Sequence, residues 1–430
     1  MNKTGIAAAV GVFVLGAGYL GACWLTGNIY DQQLQQRTQL WNQQPGTQVE
    51  WQPGDAGLWH RDGVLHVTLS AERVQHYAPF LADLQGEPQP LELFIQVQQG
   101  VGALTIQGQA QVDSSRGSLA SWLKQAKLQS LPHQVNWQFN AINQHLQGDV
   151  RLDPWKVVTD EGRVEFALLK LQASGTLDQQ ADIQLEWDGM SAGNEATQLV
   201  HLAPVRSEIR FENNAGIWLS PAYHVQLAGV RYVSPEQNFT LQQWDGQGAI
   251  AEQGSEADRR LNIQFNSKVE LVEMKGQQQN FTIDKMALGL NLQNIDKQGY
   301  LALLQSQQAS TLGQMQTLAA MQQIASKGLA VTLDTLTLDY NKANFHAQGN
   351  VALSADQRPV LGLPQLLARL QAQLDLVAMP ELVAQLPNGE AMLKPMLSQG
   401  YVKQGNDGKL SSQLKLTGGK ATANGVALPL

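Results

Sequence analysis

The sequence predicts a mainly β (α+β) protein: a single N-terminal transmembrane helix, then a large curved antiparallel β-sheet body with a few packing helices. Three observations carry this expectation. Apolar residues alternate with Gln, Asn and Glu through most of the chain after residue 46, an uncharged apolar segment stands near the amino terminus, and only a few stretches repeat at helical spacing. At 430 residues and 43% apolar content the chain can build two or three domains with real cores. The formal charge is −8 and only 15% of residues are charged, so polar faces are made with neutral amides. Without clustered Lys and Arg to replace phosphate counterions, nucleic acid is excluded as a partner. Cys23 is the sole cysteine, so no disulfide can form within the chain.

The 22 residues from Thr4 to Leu25 carry no charge. As a helix they span about 33 Å, matching a bilayer core of about 30 Å. Lys3 precedes the segment, and Asp31 comes before the first arginine after it, Arg37. That bias puts the amino terminus in the cytoplasm and the body in the periplasm, as a single-pass protein of a bacterial inner membrane. Thr4, Val10, Val14, Leu20 and Trp24 mark the anchor, with Trp24 and Tyr30 as interfacial aromatics. Two alternatives use the same residues. A cleaved signal peptide needs a shorter apolar run and a small-residue cleavage site. Lipidation at Cys23 fits Leu20-Gly21-Ala22-Cys23, which has the form of a lipobox. Gly16 to Gly21 matches G-x-G-x-x-G in letters, but no strand precedes it and it lies inside the apolar run. Small-residue spacing, Ala17 with Gly21 and Gly18 with Ala22, is the better reading and admits a homodimer.

A polar helical stalk is expected from Asp31 to about Gln44, ended by Pro45-Gly46. Beyond it, Leu91, Leu93, Ile95 and Val97 share one face, as do Val135, Trp137 and Phe139, then Ile183, Leu185 and Trp187. Leu261, Ile263, Phe265, Val269 and Leu271 form the longest such run. One greasy and one amide-rich face indicate an antiparallel sheet with one side solvated. Asp62-Gly63 predicts a hairpin turn, and Asn140 to Gln144 a looser one. Helices are expected over Ser118–Leu128, Asp296–Ser326, Pro380–Leu386 and Glu390–Ser398. In the second of these, Leu301, Leu304, Leu312, Met315, Leu318, Met321 and Ile324 make a stripe expected to face the core. Leu370 to Leu376 and Leu410 to Leu416 return to strand alternation, with Gly418-Gly419 as a turn. The expected divisions are an anchor (1–27), a stalk (28–46), a β-rich domain (47–295) and a helix-plus-strand part continuing the sheet (296–430).

Candidate chemistry is sparse. Gly189-Met190-Ser191-Ala192-Gly193 fits the G-x-S-x-G elbow of serine hydrolases, which needs a parallel sheet, a following helix and later Asp and His partners. The flanking strands look antiparallel, so a glycine-rich loop is the preferred reading of Ser191, and a serine hydrolase stays a remote alternative. His60, His66 and His76 lie close together without metal-ligand spacing. No metal or cofactor is expected.

The exit of the apolar segment, Ala22-Cys23-Trp24-Leu25-Thr26-Gly27, the stretch Gly57-Leu58-Trp59-His60-Arg61-Asp62-Gly63, and the close Gly419-Lys420-Ala421-Thr422-Ala423-Asn424-Gly425 resemble the YdgA-like family of Gram-negative envelope proteins. So does the Gln-rich helix that leads into Leu329 to Asp339 and Phe345 to Leu353. Cys23 departs from the small residue of that pattern. The resemblance implies an uncleaved anchor and a β-rich periplasmic body, with no catalytic residue to carry over. More distantly, the body resembles AsmA-type envelope proteins, which implies apolar inner sheet faces linked to lipid handling. The expected function is non-enzymatic: the sheet face of Leu261, Ile263, Phe265, Val269 and Leu271 binds a lipid or another envelope protein, or else packs as a plain scaffold.

Overall fold

The computed structural model describes residues 23, 25–77, 90–125, 130–158, 162–194, 198–214, 216–277, 280–308, 313–356, 363–385 and 388–429. Strand dominates, and the paired strands are antiparallel, as their alternation predicts. The chain divides into two compact units at Glu195/Ala196. No helix among the described residues is long and apolar enough to cross a membrane. Thr4, Val10, Val14, Leu20 and Trp24 of the expected span, and the small-residue face at Ala17 to Ala22, lie outside the described residues.

The first unit is a meander of β1 (Thr47–Ala56), β2 (Arg61–Leu69), β3 (Leu91–Val101), β4 (Thr105–Val112), β5 (His133–Asn140) and β6 (His145–Leu152). It continues through β7 (Trp155–Val158), β8 (Arg163–Phe166), β9 (Leu169–Thr176), β10 (Gln180–Trp187) and β11 (Met190–Asn194). Asp62-Gly63 is not the turn: both residues lie inside β2, and the chain reverses at Gly57–His60, where the Gly57 N–H donates to the His60 carbonyl at 2.9 Å. Asp62 is used otherwise, accepting the Gln99 N–H at 3.2 Å.

The expected stalk is helical over residues 25–42, and it packs on this sheet. Tyr30 stacks on Trp137 with ring centroids 5.3 Å apart, the Thr26 hydroxyl donates to the Ala103 carbonyl, and Gln99 donates to the Tyr30 hydroxyl at 3.1 Å. Burial pushes the Tyr30 hydroxyl well above its ordinary range. Cys23 is wholly buried against Val101 and Ile106. At the far end Asn42 satisfies both backbone groups of Val49, taking the place of a further strand on the edge of β1.

A crease crosses three strands of this unit. The pairings of β6 with β9 and of β7 with β8 share one register, interrupted at Asp153-Pro154 and Ala167-Leu168; β9 with β10 and β8 with β11 share another, interrupted at Asp188-Gly189. The apolar positions change parity at each interruption: Leu169 and Leu171 are odd-numbered, Phe166 and Val164 even. In an unbroken ladder Phe166 and Trp187 would stand on opposite faces. Instead they stack at 5.3 Å, with Trp155 on the other side of Phe166 at 4.7 Å. Each strand skips one beat of alternation on the same row, so the apolar side chains stay on one face.

The second unit runs through β12 (Gln198–Leu202), β13 (Val205–Asn214), β14 (Ile217–Val233), β15 (Gln237–Gln253), β16 (Arg260–Gly276) and β17 (Asn280–Asp296). Then come β18 (Leu329–Tyr340), β19 (Ala343–Leu353), β20 (Leu370–Ala378), β21 (Lys403–Gln404), β22 (Leu410–Thr417), β23 (Lys420–Ala423) and β24 (Val426–Ala427). Strands β14 to β17 have 17 residues each, about 55 Å of chain. A second crease crosses them on one row, at Ala203-Pro204, Ala228-Gly229, Gln242-Gln243, Glu270-Leu271 and Asp284-Lys285. Gln243 and Lys285 take the left-handed conformation there, with φ of 48° and 51°. Tight turns close the later hairpins; Asn424 and Gly425 both have positive φ, the type I′ geometry that suits strand twist.

The long helix expected over Asp296–Ser326 is a pair, Lys297–Gln308 and Gly313–Lys327. Gly117–Gln125, Pro380–Ala384 and Gly389–Ser398 take up most of the other expected helical stretches, and Ala71–Tyr77 and Leu363–Arg369 are additional short helices.

Candidate apolar site on the second sheet

The predicted face lies on β16, in the middle of the longest strands. Paired residues of neighbouring strands share a face. Phe265 opposes Gly248 on one side and Leu290 on the other, and the row continues through Leu333, Gly349, Leu374 and Leu414. Two glycines on this face are roofed by aromatic rings: Tyr223 lies over Gly248, and Trp244 over Gly246. A Cβ on Gly248 would fall 2.2 Å from Tyr223 Cε1, so only glycine lets the ring lie flat. The Trp244 indole N–H donates to the Ser267 hydroxyl at 3.0 Å, and burial raises the Tyr223 hydroxyl above its ordinary value. The result is a shallow, aromatic-walled apolar trough.

The helix pair Lys297–Gln308 and Gly313–Lys327 covers one end of it. Leu261 is 0% exposed, in a cluster with Ile295 and Ile324, against which Ile250, Ile263, Leu292, Tyr300, Leu303 and Leu329 pack. Phe265 and Leu271 are only half-buried, and Val351, in the row of Ile263, Leu292 and Val331, is 39% exposed. The five expected residues therefore divide. Leu261 belongs to the helix-covered core, with Ile263 at its margin; Val269 is buried beside Trp244; Phe265 lies in the open trough. Leu271 lies on the crease, opposite Gln242 and Asp284, where Val272 takes over the apolar beat.

The helix pair holds its place through polar anchors. Asp296 Oδ2 accepts the Gly299 N–H at 2.8 Å and the Gln323 side-chain amide at 2.7 Å, so one buried carboxylate caps the first helix and ties down the second. The expected core stripe splits: Ile324 packs on Leu261 and Ile295, whereas Met315, Leu318 and Met321 are exposed, and Leu312 lies outside the described residues. That correction follows from length, since a helix pair over a sheet end needs only one apolar flank per helix.

The opposite sheet face is polar. His224 Nε2 and Asp245 Oδ2 are 3.0 Å apart, and Gln226 donates to the same oxygen at 2.8 Å; the Gln226 and His224 contacts hold Asp245 below the usual carboxylate range. Nothing in the sequence signalled this cluster. Ser191 is in β11, paired antiparallel with Glu165 of β8, in a strand and not in a loop or an elbow. His60 lies 3.1 Å from Asp55, His66 stacks on Phe94 at 4.3 Å, and His76 is in the Ala71–Tyr77 helix. Among the described residues no three His, Cys, Asp or Glu side chains gather as a metal set. The trough is lined by hydrocarbon, aromatic faces and glycine backbone, a surface suited to an apolar chain.

A family described as bacterial protein of unknown function (DUF945) matches residues 1–430. The chain belongs to this family. The DUF945 match agrees with an uncharacterised bacterial family and carries neither the YdgA-like nor the AsmA-type name. No curated protein and no solved structure matches at a significant level.

Proposed function

We propose that this DUF945 protein is a non-enzymatic, single-pass envelope protein whose second-unit trough holds the hydrocarbon chain of a lipid. The observation that carries the reading is the open row through Phe265, Leu290, Leu333 and Leu374, which runs beyond the cover of the helix pair. Uncovered apolar rows of that extent mark binding surfaces in soluble domains. The anchoring reading rests on the uncharged Thr4–Leu25 segment behind Lys3. The burial of Cys23 against Val101 and Ile106 favours an uncleaved anchor over acylation, because a thioether-linked diacylglyceryl group has no room there.

The test is lipid analysis of the full chain purified from membranes in mild detergent, beside the Phe265→Glu variant. Lipid retained by the native chain and lost from a folded Phe265→Glu chain is the expected result. Equal lipid content in both, or none in either, overturns the lipid reading and leaves a scaffold that packs sheet against helix.

A further inference from the structure

The helix pair of the second unit carries a second apolar surface, on the side turned away from the sheet. Residues 298–326 contain no Asp, Glu, Lys or Arg, in a chain of which 15% is charged. The charges gather at the base of the pair. Lys297 and Arg259 pair with Glu252, and Lys327 and Arg260 pair with Asp258. Twelve residues up the second helix from Lys327, about 18 Å away, stands Met315, 78% exposed; Leu318 and Met321 follow on the same flank at 57% and 52%. Gln316 and Ala319 complete that exposed surface without a charge. Ser306 and Thr317 hydroxyls, 2.8 Å apart, join the two helices so that they stand together.

We infer that this flank of the helix pair seats in the interfacial zone of a lipid bilayer. Charge decides between occupants. A protein-docking face has a polar rim in which charged side chains find partners, and here the whole flank is neutral. Interfacial helices bury an apolar side about 5–10 Å deep and keep charge out of the hydrocarbon. The arrangement of an uncharged flank above a charged collar fits that requirement. Methionine, flexible and polarizable, adapts to a fluid apolar surface. This inference goes beyond the lipid-holding trough and stands on a different surface, so either can fail alone.

The test uses the full chain in phosphatidylcholine vesicles. Cys23 is the only cysteine and is buried, so in a Cys23→Ser background Leu318→Cys or Met315→Cys takes an environment-sensitive dye selectively. Gln264→Cys, on the polar face of β16, is the control. Both helix positions are expected to emit blue-shifted and to lose at least half their signal to lipids brominated on the acyl chain, placed in the host vesicles or in a second vesicle population. The control should lose little. No quenching at 315 and 318, or quenching equal to the control, overturns the inference. A blue shift that grows with protein density without bromine quenching means that a second copy covers the helix, and also overturns it. Unchanged protease resistance of each labelled variant, read alongside, shows that the fold is intact.

Discussion

Asp296 ties both helices of the pair to one carboxylate oxygen. It is 5% exposed, and both of its hydrogen bonds end on Oδ2. Asp296→Ala removes the N-cap of the Lys297–Gln308 helix, worth about 1 kcal/mol. It also leaves the Gln323 amide half-buried without its acceptor, worth roughly 1–3 kcal/mol. The total is about 2–4 kcal/mol. With a urea slope of about 3 kcal/mol/M for a unit of this size, the midpoint of the transition should fall by about 1 M. Asp296→Asn keeps one oxygen where both donors point, and asparagine is as good a cap as aspartate, so it should lose less than half as much. Amide hydrogen exchange over 297–327 locates the effect: protection should drop in the alanine variant and hold in the asparagine one. Equal loss in the two variants would show that the negative charge, and not the acceptor position, holds the helices, and would refute this reasoning.

Three further outcomes are expected. Gly108→Ala would place a Cβ 2.3 Å from Trp137 Cε2, displacing the indole on which Tyr30 stacks; a loss of about 1–3 kcal/mol in urea unfolding, with altered near-ultraviolet circular dichroism, is the expected result. Asp113, hydrogen-bonded by Ser115 and Arg116, has its pKa lowered to about 2. A depressed carboxylate stabilises above its unfolded value and loses that contribution as pH falls towards about 2, so Asp113→Asn should cost about 1 kcal/mol at pH 7 and flatten the stability curve between about pH 4 and 2. Phe166→Ala empties the place between Trp155 and Trp187, and a half-buried ring should cost roughly 2 kcal/mol, with a shift in tryptophan emission as the readout.

The strand content was legible because a half-solvated sheet writes its alternation directly into the sequence, as at Leu91 to Val97 and Val135 to Phe139. Turns with two positive φ angles, such as Gly418-Gly419, were equally plain. Asp62-Gly63 misled because its local turn preference was outweighed by the ladder that β2 makes with β3, in which Asp62 serves as an acceptor for Gln99. The candidate face could be found on β16 but not its cover: Leu261 and Phe265 are alike in the sequence, and only the distant Ile295 and Ile324 make one of them core. The Met315, Leu318 and Met321 stripe misled for the converse reason, since periodicity identifies an apolar flank without naming what it faces. The stalk helix was legible, but its packing on the sheet was not, because those contacts are long-range and partly polar, through Thr26 and Tyr30.

The creases constrain how such a chain can change by insertion and deletion. Within a regular stretch, losing one residue from one strand reverses the facing of everything beyond it. Across the row from Ala203-Pro204 to Asp284-Lys285, adjacent strands have all taken the same half-step, and their register survives because they took it together. Length variation in this part of the sheet is therefore collective: a residue removed at Gln243 has to be matched at Gly229 and Glu270, or the trough that Trp244 and Tyr223 wall would turn one of its sides to water.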